Sequence, residues 1–257
     1  MRFARWTIVF TGLLLVGPII VVASGTHDMR GDWRTATRDS AGVAPPATET
    51  AAAVIQVYAA RAFSWRGIFA VHTWIATKPA GATRYAVHQV IGWRGRGGGS
   101  ALVSEADIPD RSWFGAEPQV LLDLRGPEAE ALIPKIVAAV AKYPYDHEYR
   151  LWPGPNSNTF TAFVARAVPE LRLDLPVTAI GKDYLPDAGL FAAAPSGSGY
   201  QLSLFGALGV LAAAEEGLEL NVLGLAFGVD VLHPALKLPG IGRLGMGDPK
   251  TGDRPRF

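Results

Sequence analysis

Between Tyr149 and Pro169 a helix can begin in only one place. Pro153-Gly154-Pro155 bars regular helix before Asn156, because proline lacks the N–H and clashes with the preceding turn. Asn156-Ser157-Asn158-Thr159 follows, four small polar residues of the types that cap helices. Phe160, Phe163, Val164, Ala167 and Val168 then recur at i, i+3, i+4, i+7 and i+8, a stripe that Pro169 ends. The pattern predicts a short amphipathic helix with a fixed start. Unpaired N–H groups there could stabilise an oxyanion beside a nucleophilic Ser157. Ser157, Asn156 and Asn158 are equally competent as plain N-caps.

The address is written at the other end. Met1-Arg2-Phe3-Ala4-Arg5 is basic, and Trp6 to Ser24 carries no charge. That length approaches the ~20 residues of a spanning helix, with Arg2 and Arg5 holding the N-terminus in the cytoplasm. Residues 1–25 therefore read as a membrane anchor, or as a signal segment cleaved near Ala23-Ser24-Gly25. Both readings export the body, and we expect it at a bacterial inner membrane, facing the periplasm or the cell exterior. The chain has no cysteine, which excludes disulfides, thiolate metal sites and cysteine nucleophiles. A net charge of +1 gives no reason to expect nucleic acid as a partner.

Residues 26–48 read as a linker, 49–244 as one α+β domain and 245–257 as a disordered tail. Within the domain, Ala51 to Trp65 has a loose helical pattern. Ile68–Thr77 and Arg84–Trp93 read as a β-hairpin, and Gln119–Leu124 and Leu171–Ile180 as further strands. Gly126-Pro127 opens a helix with Leu132, Ile133, Ile136, Val137 and Val140 as its buried stripe, kinked or delayed by Pro134. Residues 200–231 read as one apolar hairpin turning at Glu215-Glu216-Gly217, both glutamates solvated. Lys182-Asp183 reads as a surface loop, with a buried ion pair as the alternative. Arg94–Ser100 lacks the phosphate-loop spacing, and Asp146-His147-Glu148 has no second ligand at a metal-binding interval. Neither cofactor nor metal is expected.

Three residues could work together: His72 and His88 on the hairpin, and Ser157 at the helix start. A serine needs a base to take its proton, and the base needs an orienting partner. His72 would be the base, His88 the orienter, and Asn156 or Asn158 with the helix N–H groups the oxyanion donors. Hairpin register decides part of this. If paired residue numbers sum to 160, His72 faces His88; if they sum to 161, the histidines point apart and Gln89 becomes the natural orienter.

The strand Ile68–Ile75, the motif Gly154–Phe160 and the segment Ala235–Gly242 resemble a bacterial family known as domain of unknown function 3750. That resemblance brings no established activity. More distantly, a strand histidine, a second-strand polar residue and a nucleophile at a helix start resemble the circularly permuted papain-like hydrolases and acyltransferases. The lecithin–retinol acyltransferase-like proteins and some envelope peptidases are among them. The resemblance implies a permuted papain-like α+β arrangement, with an antiparallel sheet packed by a few helices. It implies His72 as base and Ser157 in the seat those proteins give to cysteine. Two functions follow: a non-catalytic module whose cleft binds peptidoglycan, a peptide or a lipid, or a serine-dependent hydrolase or acyltransferase acting on an envelope amide or ester.

Overall fold

The computed structural model describes residues 2–186 and 189–246, with side chains described at residue 5 and from residue 11 onward. It is a mixed α+β structure with two antiparallel sheets. Helix α1 spans Arg2–Ser24. Strand β2 (Val71–Lys78) is the centre of a five-stranded sheet in the order β4-β3-β2-β1-β5, with β1 Val54–Arg61, β3 Ala86–Val90, β4 Leu102–Ala106 and β5 Gln119–Arg125. Helices α2 (Pro127–Ala141) and α3 (Ser157–Ala167) cover one face. Ile55, Val57, Ile75, Ile136, Phe160 and Val164 meet in the core between them.

The other face of that sheet is also buried. Tyr58 and Trp74 stack there at 5.4 Å, and Val43, Ala47 and Trp113 pack over them. The Asp110 carboxylate fastens this cover by accepting from Ser40 Oγ and from the N–H groups of Val43 and Ala44. Segment 26–48, expected as a free linker, thus contributes to the fold. Burial on both faces also explains why Ala51–Trp65 was misread as helix. In β1 the run Val54–Ala60 is buried throughout, so it shows no polar alternation and cannot be told from a buried helix by period.

A second sheet of seven strands follows in sequence order, from β6 (Phe191–Ala193) through β7 (Gly199–Leu204), β8 (Leu208–Ala213), β9 (Gly217–Val222), β10 (Leu225–Asp230) and β11 (Ala235–Leu238) to β12 (Gly242–Gly245). The expected hairpin at 200–231 is therefore four strands. Its two arms are each folded again, one by the three-residue connection Phe205-Gly206-Ala207 and the other by the two-residue turn Leu223-Gly224. Phe205, Gly206, Leu223 and Gly224 all have positive φ, the backbone of a tight hairpin whose twist matches its strands. Non-glycine residues at the first turn positions hid these turns from the sequence.

This sheet is inverted. One face carries the registered row Gln201, Leu211, Glu219, Gly228, Lys237 and Arg243, turned inward. The opposite face carries Phe191, Leu202, Val210, Leu220 and Phe227 in one row. Tyr200, Ala212, Leu218, Val229, Leu236 and Leu244 form the next.

The inward row meets the chain that leaves α3. Leu171–Ile180 is not a strand: Leu171 ends a 3-10 turn, and Arg172 takes a left-handed backbone with φ +46°. The chain turns again from Val177 to Ile180, where Thr178 O accepts from Val71 N of β2. Leu171, Leu173 and Leu175 are buried in the helical core. The alternate residue Asp174 faces the second sheet, where Lys237 Nζ donates to both its carboxylate oxygens. Lys182, expected at a surface, is buried with its Nζ 2.5 Å from Glu219 Oε2, and Glu219 Oε1 accepts from Lys237 at 2.9 Å. Asp183 is buried too and accepts from Asn221 Nδ2. Glu216 is not solvated either: it is fully buried and accepts from Ser196 N and Oγ. In α2, Val137 is half exposed rather than part of the buried stripe, and Pro134 lies within the helix. Among the described residues no helix is long and apolar enough to cross a membrane. Gly245 closes β12, and the rest of the expected tail from residue 247 lies outside the described residues.

Candidate functional site

Asn156 is the N-cap of α3. Its Oδ1 accepts from Asn158 N at 2.9 Å and Thr159 N at 3.2 Å, while Thr159 Oγ1 accepts from Asn156 N at 3.1 Å. This is a reciprocal capping box with threonine where glutamate or glutamine is usual. Both asparagine amides are spent on backbone. Asn156 Nδ2 donates to Leu151 O and Ile180 O, and Asn158 Nδ2 to Val71 O and Ile180 O. Asn158 Oδ1 accepts from Thr73 Oγ1 at 2.9 Å. The two residues expected as oxyanion donors are the pins that hold the helix start against β2 and the 180–181 loop. Gly181 makes room for this, with φ +103° and an added Cβ falling 2.3 Å from the Asn156 amide. The N–H of Ser157 itself has no acceptor among the described residues.

The hairpin register separates the histidines. Ile75 pairs with His88 and Thr77 with Ala86, a sum of 163 and so neither of the two expected registers, but odd, so His72 and His88 occupy opposite faces. His72 Nε2 lies 3.0 Å from Gln89 Oε1, the partner that an odd register favours. An amide oxygen only accepts, so Nε2 carries the proton and Nδ1 is left unprotonated. The imidazole stacks on Trp113 with ring centres 3.5 Å apart and planes 7° from parallel. His88 is held elsewhere, with Nδ1 2.7 Å from Ser104 Oγ and Nε2 3.0 Å from Thr77 Oγ1. It does not orient His72. Burial lowers both imidazoles to about 4; for His72 the Gln89 hydrogen bond opposes this without reversing it.

His72, Asn156, Ser157 and Asn158 line one cleft of about 1240 Å3. No hydrogen bond joins Ser157 Oγ to His72 among the described residues. The walls are strongly aromatic, with Trp65, Trp93, Trp113, Phe114, Tyr149 and Trp152. Arg38, Arg66 and Arg96 are the cations on the lining, and no carboxylate belongs to it. Arg38 lies over the Phe114 ring at 4.4 Å. The β9–β10 turn closes one side, where Trp152 Nε1 donates to Leu223 O. The sequence reading missed Trp113. Its only signal was a Trp-Phe-Gly run, which ordinary turn chemistry also produces; here Trp113 bridges Ala116 across that turn.

Most of this cleft, though not Trp33, Arg38, Leu223 or Leu225, is built by a stretch that matches a sequence family. Residues 52–184 match the family described as Protein of unknown function (DUF3750). The chain belongs to that family. Its match takes in the five-stranded sheet, both core helices, the capping box and the His72–Gln89 pair, and stops before β6. The segment 235–242, also part of the expected resemblance, lies outside it. No curated protein and no solved structure matches the chain.

Proposed function

We propose that this DUF3750 member is a membrane-anchored, envelope-facing binding module. Residues 1–25 tether it to a bacterial inner membrane, and the aromatic cleft, papain-like in its arrangement, holds a peptidoglycan fragment, a peptide or a lipid without turning it over. The observation that carries this reading is the state of His72. Its ring is stacked on Trp113, tied to Gln89 and unpaired with Ser157, and burial makes it a weak proton acceptor. A serine hydroxyl needs an aligned base far more than a thiol does. Clustered indoles and arginines on a lining without a carboxylate, by contrast, suit recognition.

Titration of the full chain with muropeptides, peptides or lipid micelles, followed by tryptophan fluorescence, tests the reading. Saturable quenching that Trp93→Ala or Trp113→Ala weakens at least tenfold supports it. A response identical in both variants counts against it.

A second reading rests on one observation. Ser157 heads α3 with its own N–H free and shares the cleft with a neutral imidazole. If ligand binding swings the two together, the site becomes a serine hydrolase or acyltransferase. Labelling of wild type but not Ser157→Ala by a fluorophosphonate would establish it.

A further inference from the structure

The two outward rows of the second sheet hold no charged residue, and every charge on β9 to β12 points inward. Tyr200 is 63% exposed, Leu202 58%, Leu218 52% and Leu236 46%. Monomeric soluble proteins rarely leave a continuous apolar patch beyond a few hundred Å2 open to water. An outward face kept apolar over six strands, with polar residues turned inward on all of them but β8, is what a sheet presents to hydrocarbon.

Helix α1 says what covers this face. It packs against the same sheet at the β11–β12 turn, where a Cβ on Gly17 would collide with Pro239 O and one on Gly240 would meet Pro18 N. Leu14 and Val21 are buried, while Leu13, Ile19, Ile20 and Val22 are exposed. The segment read as anchor and the apolar sheet are thus one joined body. We propose that the outward face of β6–β12 lies on the bilayer surface, seated at the headgroup–acyl boundary beside the anchoring helix. The inference rests on the anchor reading above. It also places Leu223 and Leu225, which line the cleft, next to lipid.

The absence of cysteine makes the test clean, since a single introduced thiol is the only one in the chain. Leu202→Cys, Leu218→Cys and Leu236→Cys carry a nitroxide on the sheet, Ile19→Cys on α1, and Val137→Cys on α2 as a water-exposed reference. The full-length protein is reconstituted in phosphatidylcholine–phosphatidylglycerol vesicles, and circular dichroism confirms that each variant folds. Relaxation by oxygen is compared with relaxation by a water-soluble nickel chelate. We expect the oxygen-to-nickel ratio to be at least fivefold higher at all three sheet positions than at Val137→Cys. Sheet labels as open to nickel as the reference would overturn the proposal. So would labels shielded from both reagents, which would mean that protein, such as a second copy, covers the face. A lipid-exposed label at Ile19→Cys with water-exposed sheet labels defeats this inference alone. Nickel access at Ile19→Cys as well defeats the anchor reading beneath it.

Discussion

Single side chains decide how this site responds to acid. His72 is buried with a pKa near 4, against 6.5 for an unhindered imidazole, and His88 is shifted likewise. A depressed folded pKa means that the unfolded chain takes up protons first. The stabilising difference is whole above pH 6.5 and disappears as pH falls to 4. Each histidine should therefore remove on the order of 3 kcal/mol between those limits. Urea denaturation at pH 7 and pH 4 measures the loss, and His72→Gln should flatten about half of it. An unchanged slope in that variant would place the titration in other groups. The Gln89 partnership was legible only through parity: the register is neither 160 nor 161, but an odd sum is enough to put His72 and Gln89 on one face. Trp113 was not legible: stacking depends on where a loop returns, and local sequence does not encode that.

Elements were readable where breakers mark their ends. The start of α3 follows from Pro153-Gly154-Pro155, and α2 from Gly126-Pro127. The β2–β3 hairpin follows from the Lys78–Thr83 turn between two runs rich in β-branched and aromatic residues, although both strands are buried on both faces. Reading failed where no breaker stands beside a run buried on both sides, or where a leucine alternation is not part of a ladder. β1 lost its alternation to burial. Leu171–Ile180 alternates at Leu171, Leu173 and Leu175 yet forms no strand, since Arg172 is left-handed, residues 177–180 turn, and buried leucines rather than a ladder hold it. At this scale Gly181 is the sharpest test. With φ +103° and the Asn156 amide 2.3 Å from any added Cβ, Gly181→Ala should cost more than about 1 kcal/mol, and should loosen the helix start rather than the sheet. Hydrogen exchange at Asn158 and Thr159 would report it. Retained protection there would show that the capping box does not depend on this loop.

In the whole molecule, two sheets are joined by charge rather than by oil. Burial alone would raise the Glu219 carboxyl, but Lys182 and Lys237 outweigh it and hold the group below the usual carboxylate range. Glu219→Gln would leave two buried ammonium groups competing for Asp174, a loss of about 3–5 kcal/mol for a broken buried pair. Thermal unfolding of wild type and variant checks this. A fall of less than a degree in Tm would mean that water reaches the network.

That network also crosses a border. Asp174, Lys182 and Asp183 lie inside the stretch that matches the family, while Glu219, Asn221 and Lys237 lie beyond it. A fragment ending at residue 185, the natural cut by sequence similarity, would strip Lys182 and Asp174 of their counter-ions Glu219 and Lys237, take the Asn221 amide from Asp183, and bare the polar flank of the helical core. We expect it to be recovered insoluble or unfolded, and co-expression with residues 186–257 to rescue it. The unit that evolution repeats and the unit that can stand in water have different ends.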